Sequence, residues 1–576
     1  MIALLFPLLS RQNAYTRMTP WRLISRGIFG LLLLVVLVLF ISNPAVVQGA
    51  AVTAMISAGD HHTLALKSDG TVWAWGWNQW GQLGDGHVDQ TLNYSSTPIQ
   101  VKGPGGSGYL NNVVEVSAGH MYSLALRSDG TVWAWGYGNS GQLGNDISGG
   151  NYFTAVPVQV KGPGAVSYLT GITAIAAGKD FSDHSLALKS DGTVWAWGAN
   201  GNGQLGDGTW TFRKVPVQVK GPGGSGALTG VMAISAGHHS LALKSDGTLW
   251  AWGTNNDGQL GIGTAFDNKN TPVQVKGPGG SGFLTGITAI SAHSRHSLAL
   301  RNDGTVWGWG WNLYSQLGND EALSTYHRYT PVQAKGPGGT GFLTGITAIN
   351  AGHDHSLALR NDGTVWAWGN NMNGRLGDGT TTPKRSPVQV LKGASPSGTS
   401  YLTDVSAVSA GLAYSLALRK DGTLWAWGSN SNGKLGDSTT VHERLTPVQS
   451  LINLHPPVGT FSDVPTDMVF YSYIEAVAAA GITLGDGKGN FLPSNNVTRG
   501  QMAAFLVRAI DGLDEISPAV PTFSDVPKTN VFYQHIEAVA AAEITLGDGK
   551  GNYLPSNNVT RGQMAAFLAR ALELDN

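Results

Sequence analysis

The sequence has no cysteine among its 576 residues, which excludes disulfide bonds, thiolate metal sites and cysteine nucleophiles. Charged side chains make up 13% of the chain, about half of the usual ~25%. The formal net charge of −1 provides no basic footprint for nucleic acid. No P-loop, His-Glu-x-x-His or Gly-x-Ser-x-Gly motif occurs. We therefore expect a protein that is not an enzyme, with no catalytic residues, no metal site and no cofactor.

Glycine and tryptophan are abundant instead, with 80 Gly and 19 Trp. Disordered chains are poor in aromatic residues, so this composition favours a folded protein. Glycine, aromatic residues and small polar residues together suit many short strands joined by tight turns.

Residues 1–50 have the features of a secretory signal peptide. Four arginines and no acidic residue occur in them, and an apolar run extends from Ile28 to Ile41 before the small residues at 49–51. A basic segment, an apolar core and a small-residue exit are typical of such a signal. The alternative is an uncleaved membrane anchor, but the run is shorter than the ~20 residues that span a bilayer. We expect cleavage near 49–51 and an exported protein.

One unit is repeated seven times over residues 51–458. The phrase Thr-Val/Leu-Trp-Ala/Gly-Trp-Gly ends at Gly76, Gly136, Gly198, Gly253, Gly310, Gly369 and Gly428. Each copy is preceded by a variant of Ser-Ala-Gly-His and His-Ser-Leu-Ala-Leu, and followed by Gly-Gln-Leu-Gly and Pro-Val-Gln-Val. Internal repetition at a fixed period indicates a repeat architecture.

Each repeat is predicted to form four strands. In repeat 4 they are 234–236, 240–244, 248–252 and 272–275, and Asp246-Gly247 between the second and third is a strong hairpin signal. Strand alternation places Trp250 and Trp252 on one face and the smaller Leu249 and Ala251 on the other. Sheets with one large and one small face can stack into a closed ring. We predict an all-β, seven-bladed β-propeller, without an extra strand to lock the ring, although the blades could be offset from the repeats.

These repeated phrases resemble the regulator-of-chromosome-condensation repeat family. Members in nuclei are guanine-nucleotide exchange factors for a small GTPase, and secreted bacterial members include an inhibitor of β-lactamases. The resemblance implies a seven-bladed scaffold that binds another protein.

Two patterns in the repeats imitate functional sites. Gly-Pro-Gly-Gly-Ser-Gly at 103–108, with its copies, matches a dinucleotide fingerprint, but strands lie on both sides and no helix follows, so we interpret it as an inter-blade loop. A histidine recurs at one position in five repeats and tyrosine replaces it in two. We interpret this position as a shared hydrogen-bonding site and not as a metal site. Its members are His62, Tyr122, His184, His239, His296, His355 and Tyr414.

Function is expected where the repeats differ. Aromatic residues in the loops after the Trp-Gly phrases are candidate anchors for a protein partner; the alternative is that they fill gaps between blades. An insertion at 180–183 in repeat 3 is a weaker candidate. The candidate anchors are Trp77, Trp80, Tyr137, Trp210, Trp311 and Tyr314, with Tyr326 and His327 nearby.

The C-terminal region, 459–576, differs in kind. Residues 461–512 and 523–574 are near duplicates, and each begins with Phe-Ser-Asp-Val-Pro and continues into an Ile/Ala-rich segment that favours helix. A second helix is predicted after Thr498 and Thr560, where Gln501 and Gln563 complete a capping box. We expect a small, mainly α-helical module.

These duplicates resemble the S-layer homology family. Such modules bind cell-wall polysaccharide through a Thr-Arg motif, which here falls on Thr498-Arg499 and Thr560-Arg561. Arginine suits an anionic sugar because its planar fork matches a carboxylate. The alternative is that both arginines pair with nearby carboxylates. Two copies are present where the family commonly assembles three.

The sequence thus predicts a non-catalytic bacterial surface protein, secreted and associated with the cell wall. Its propeller would display a face for an unknown protein partner, and its C-terminal module would bind wall polysaccharide. Nucleic acid is not an expected partner, and a membrane is expected only if the signal is retained. The alternatives are a secreted inhibitor of an extracellular enzyme and a regulator similar to the exchange factors.

Overall fold

The computed structural model describes residues 52–87, 93–321, 326–393 and 400–454, together with parts of the C-terminal region. Those parts are residues 496–498, 524–526, 528, 530, 533, 534, 536 and 558–560. The predicted signal peptide, 1–50, and most of the predicted helical module lie outside the described residues.

Seven four-stranded antiparallel sheets form the blades of the predicted propeller. In every sheet the strand order in space follows the order in the sequence. Blade 1 contains Met55–Ala58, His62–Leu66, Val72–Trp77 and Tyr94–Gln100; blade 2 contains Val113–Ala118, Tyr122–Arg127, Val132–Tyr137 and Phe153–Gln159. Blade 3 contains Ile172–Ala177, His184–Lys189, Val194–Gly198 and Arg213–Gln218; blade 4 contains Val231–Ala236, His239–Lys244, Leu249–Gly253 and Lys269–Gln274. Blade 5 contains Ile287–Ala292, His296–Arg301, Val306–Trp311 and His327–Gln333; blade 6 contains Ile346–Ala351, His355–Arg360, Val365–Gly369 and Lys384–Gln389. Blade 7 contains Val405–Ala410, Tyr414–Arg419, Thr423–Ser429 and Glu443–Asn453.

Blades and sequence repeats coincide, so the offset left open by the sequence does not occur. Blade 7 takes all four strands from the last repeat, and its outer strand, Glu443–Asn453, is longer than the fourth strand of any other blade. In blade 4 the inner strand begins at Val231, three residues before the predicted start. Single 3₁₀ turns occupy the predicted inter-blade loops at Pro104–Gly106, Pro163–Ala165, Pro222–Gly224, Pro278–Gly280 and Pro337–Gly339, and another lies at Ser431–Gly433.

The two tryptophans of each repeat have different roles. The second, such as Trp252, is fully buried against Leu186, Val194 and Ala196 of the preceding blade. Its Nε1–H donates to the carbonyl of Gln204, 2.9 Å away, in that same blade. The predicted nesting of large and small faces is therefore confirmed, and it accounts for the core between blades.

A glycine in the preceding blade makes room for each of these rings. Gly206 has a φ of +65°, and a Cβ on it would lie 2.8 Å from Trp252 Nε1. The recurring Gly-Gln-Leu-Gly phrase is thus required by the tryptophan of the next repeat.

Candidate functional site

The connectivity gives the ring two distinct ends. The first-to-second and third-to-fourth loops of each blade lie at one end, which we call the loop face. There, Trp77 at the end of a third strand donates its N–H to the carbonyl of His61, before a second strand, at 2.9 Å. The Asp-Gly hairpins and the inter-blade loops lie at the other end, the hairpin face.

All six predicted anchors lie on the loop face, but they do not form one cluster. Trp80 of blade 1 contacts Tyr137 and Phe153 of blade 2, with ring centroids 5.0 and 5.9 Å apart. Trp77 packs edge-on against His61 at 5.1 Å. These residues join blades 1 and 2 into a first aromatic cluster.

A second aromatic cluster lies on blade 5. Trp311 contacts His327 at 4.9 Å and stacks near Tyr326 at 6.4 Å. The guanidinium of Arg295 lies over the Trp311 ring, 5.1 Å from its centroid. Tyr314 is only half-buried, and Trp210, on blade 3, is 50% exposed. The rings of both clusters are partly exposed. Their role as anchors for a protein partner stays a prediction.

The insertion in repeat 3 reaches across one mouth of the central channel. The backbone N–H of Asp180 donates to Asp60 Oδ2 on blade 1 at 2.7 Å. The Asp180 carboxylate contacts His238 Nε2 at 3.2 Å and His353 Nε2 at 3.4 Å, on blades 4 and 6. It also accepts a hydrogen bond from the Ser294 hydroxyl on blade 5. The side chain of Asp180 thus connects blade 3 with blades 4, 5 and 6, and its backbone N–H connects blade 3 with blade 1.

The channel mouth is strongly charged and largely buried. Burial lowers the pKa of His353, but the carboxylates of Asp180 and Asp354 outweigh burial and raise it to about 10. Burial likewise acts to raise the pKa of Asp180, but His353, His238 and Ser294 lower it below its usual value. Lys179 donates to the carbonyl of Ala58 at 2.7 Å, and burial lowers its pKa to about 8. Sequence reasoning identified the insertion but missed its partners, because they come from separate repeats.

Below this mouth the channel holds a cavity of 150 Å³ lined by the first strands of the blades. Six of the seven blades present a serine or asparagine whose side-chain oxygen accepts the backbone N–H of the following blade, as Ser57 does from Ala118 at 2.9 Å. The other acceptors are Ser117, Ser235, Ser291, Asn350 and Ser409. The serine and asparagine side chains of the lining thus form hydrogen bonds between neighbouring blades. Within the described ranges, no group of three or more His, Cys, Asp or Glu has the geometry of a metal site.

The recurrent histidine position forms hydrogen bonds, as the sequence predicts, and its partners lie on the neighbouring blade. His296 Nε2 lies 3.0 Å from Ser356 Oγ of the next blade, and His355 Nε2 lies 2.9 Å from Ser415 Oγ. Where tyrosine replaces histidine the bridge persists: Tyr414 OH lies 3.0 Å from Thr63 Oγ1. Burial lowers the pKa of His62 and His239 to about 3, so these rings are neutral near neutral pH.

The predicted glycan-binding residues lie mostly beyond the described part of the chain. Arg499 and Arg561 lie outside it, as do the helices predicted to follow Thr498 and Thr560. The two threonines end short strands, Asn496–Thr498 and Asn558–Thr560, which pair with each other in antiparallel fashion. In the first predicted helix of the second duplicate, the described residues at 533, 534 and 536 are helical. A search of the described residues for a helix long and apolar enough to cross a membrane finds none.

Comparison with known proteins agrees with this architecture. The profile of the RCC1-like domain matches residues 40–340, more than half of the chain. This chain belongs to the RCC1-like domain family. Regulator of chromosome condensation repeats also match 362–418 and 421–458, and S-layer homology domains match 460–503 and 522–565. The S-layer homology motifs indicate that this RCC1-like protein is associated with a bacterial cell surface.

Relatives of this RCC1-like protein have varied roles. It is 29% identical to the ultraviolet-B receptor UVR8 of Arabidopsis thaliana over 453 residues, which cover 76% of this chain and 92% of the receptor. It is 27% identical over 401 residues to the mitochondrial RCC1 domain-containing protein RUG3 of the same plant, covering 66% and 82%. The crystal structure of human WBSCR16 superposes with a TM-score of 0.54 at 22% identity, covering 66% of this chain and 95% of that one. This structural likeness concerns the fold alone.

Proposed function

We propose that this protein is a non-catalytic display protein of the cell surface. Its C-terminal motifs would bind wall polysaccharide through Arg499 and Arg561, and the loop face of its propeller would present the two aromatic clusters to a protein partner. The observation that carries the proposal is the presence of two S-layer homology motifs directly after a complete propeller.

The chemistry of the propeller supports a binding role over catalysis. The polar groups that line the channel are occupied in hydrogen bonds between blades, and the charged mouth is occupied by the insertion from blade 3. A catalytic site needs an acid or base with room for a substrate beside it. The loop-face aromatic clusters offer the large, partly exposed rings that dominate protein interfaces.

The test is co-sedimentation of the protein with purified cell-wall sacculi. We expect the wild-type chain to pellet and the Arg499→Ala/Arg561→Ala variant to lose at least about tenfold in affinity, because each arginine supplies a charge-assisted contact. The matched control is Arg508→Ala/Arg570→Ala, which removes the same two charges from equivalent positions of the two duplicates.

Pelleting by the wild-type chain and by the control, but not by the first variant, would support the anchor. Equal pelleting by all three proteins would contradict the assignment of the two arginines. If the wild-type chain stays in solution, the alternative of a freely secreted inhibitor is favoured instead.

A further inference from the structure

The two ends of the propeller carry opposite charge. On the hairpin face a Lys or Arg ends the second strand of six blades and Lys67 directly follows that of blade 1. A lysine follows the fourth strand in six blades, and Lys420 adds one more. Against these fourteen cations stand eight acidic residues, the seven hairpin aspartates and Asp404. The described part of the loop face carries eleven Lys and Arg against fourteen Asp and Glu. The hairpin face therefore has a net charge of +6 and the loop face one of −3.

The lysines after the fourth strands are free of acidic partners within the described ranges. Instead, several of them lie over exposed rings, as Lys102 does over Tyr109 at 4.8 Å and Lys161 over Tyr168 at 4.5 Å. The hairpin aspartates accept hydrogen bonds within their own turns, as Asp69 Oδ1 does from the Thr71 backbone N–H at 2.9 Å and from its hydroxyl at 2.6 Å. Four of them also pair with the cation at the end of the second strand, as Asp191 does with Lys189 at 3.7 Å.

Three lysines of the loop face, in contrast, are paired with carboxylates. Lys214 lies 3.7 Å from Asp146, and Lys269 lies 2.8 Å from Asp267. The cations of the hairpin face are thus less often paired with carboxylates than the lysines of the loop face. A surface with this net positive charge attracts an acidic partner.

An acidic segment of the same chain begins at this face. Residues 455–576 contain thirteen Asp and Glu against seven Lys and Arg, a net charge of −6. The last propeller strand, Glu443–Asn453, ends at the hairpin face, where the Leu454 carbonyl accepts the N–H of Ser68 at 3.1 Å. Six residues separate Leu454 from the first duplicate at Phe461. A tether this short gives an effective concentration in the millimolar range.

We propose that the acidic C-terminal region, 461–576, docks on the hairpin face of its own propeller. Complementary charge and the short tether drive the contact, and the unpaired lysines of that face receive carboxylates of the C-terminal region. The loop face, at the opposite end, stays free for a partner. The proposal goes beyond wall anchoring and does not depend on it.

Zero-length carbodiimide cross-linking of the full chain tests this docking, because it leaves no spacer and joins a lysine to a carboxylate only where the two groups come into contact. An equal mixture of ¹⁴N- and ¹⁵N-labelled protein separates links within one chain from links between copies. At 50 mM NaCl we expect links from Lys102, Lys220 and Lys276 to carboxylates of 461–576 within one chain. At 500 mM NaCl they should fall at least about threefold, because salt screens exposed charges.

A charge-reversal pair provides the matched control. We expect Lys102→Glu/Lys220→Glu/Lys276→Glu to increase the radius of gyration of the full chain at 50 mM NaCl, measured by small-angle X-ray scattering. The loop-face variant Lys214→Glu/Lys269→Glu/Lys384→Glu should leave it unchanged. Circular dichroism of both variants checks that the propeller is folded.

Three outcomes would overturn the proposal: links that join ¹⁴N to ¹⁵N chains, which would assign the face to a second copy; links equally frequent from the loop face; or no change with salt. None of them bears on sedimentation with sacculi, so failure of the docking and failure of the wall anchor are distinguishable.

Discussion

At the scale of single residues, the second tryptophan of each repeat contributes to the interface in two ways. Trp252 fills the space against the small face of blade 3 and also satisfies the Gln204 carbonyl. The sequence predicted its burial from alternation alone, because a strand has only two faces. It could not predict the carbonyl partner, which depends on how neighbouring blades are positioned relative to each other.

We expect Trp252→Ala to lower the free energy of unfolding by ~3–5 kcal/mol, the range for large-to-small changes of a buried aromatic residue. Trp252→Phe keeps most of the ring but removes one of the two hydrogen bonds that the Gln204 carbonyl accepts, the other coming from the Ser240 hydroxyl. It should therefore cost about 0.5–1.5 kcal/mol beyond the loss of volume. Urea unfolding followed by far-ultraviolet circular dichroism measures both. An unchanged midpoint for Trp252→Ala would contradict the assigned packing.

The recurrent histidines make the propeller sensitive to acid. Burial lowers the pKa of His62 and His239 to about 3, and that of His184 and His296 to about 4, whereas an unfolded histidine titrates near 6.5. A group with a lowered folded-state pKa is fully stabilising above the unfolded pKa. We therefore expect stability to fall as pH drops below 6.5, by up to about 1.4 kcal/mol per pH unit for each such ring.

The variant His355→Tyr checks this explanation, because tyrosine occupies the same position in repeats 2 and 7 and keeps the bridge to the next blade. As the pH falls from 6.5 to 4.5, the number of protons taken up on unfolding should become smaller than in the wild type, by about half a proton at pH 6.5 and close to one at pH 4.5. Urea midpoints measured across this range give the slope. Identical slopes for the two proteins would argue against a neutral, buried His355.

At the scale of structural elements, the strands were predictable and the contacts of the loops were not. Periodicity, the Asp-Gly hairpin and the repeated tryptophans place every strand of the propeller within a few residues. The channel mouth shows the limit, since Asp180 is joined to Ser294 and His353 from later repeats. A local signal can show that repeat 3 carries an insertion. Only closure of the ring determines which side chains it meets.

We expect Asp180→Asn to destabilise the propeller by about 2–4 kcal/mol, somewhat less than loss of one partner from a fully buried pair, because it leaves the charged His353 with weaker compensation. The control is Asp267→Asn, whose pair with Lys269 is exposed and should be worth less than about 1 kcal/mol. Raising the pH should reduce the difference in the free energy of unfolding between the wild type and Asp180→Asn. A group whose pKa is raised on folding contributes its full stabilisation below its unfolded pKa, which is 6.5 for histidine. The contribution of His353 therefore decreases as the pH rises toward 10 and the ring loses its proton.

At the scale of the whole molecule, the ring closes without exchanging a strand between its first and last blades. Closure depends instead on contacts that recur between other neighbouring blades. Trp75 of blade 1 donates to the Lys434 carbonyl of blade 7 at 3.0 Å, and Ser409 accepts the N–H of Ala58 at 2.9 Å. The interface between blades 1 and 7 is therefore the seventh copy of one kind of interface.

This equivalence predicts that two substitutions lower the free energy of unfolding by the same amount, within about 1 kcal/mol. They are Trp75→Ala, at the closing interface, and Trp309→Ala, between blades 4 and 5. Both rings are fully buried and both donate to a carbonyl of the preceding blade, Lys434 or Gln259. Urea unfolding of the two variants, each as a single cooperative transition, provides the comparison. If Trp75→Ala cost much less, the ring would open at its closing interface before the other blades unfold, and the propeller would then behave as a linear array of repeats whose ends meet only weakly.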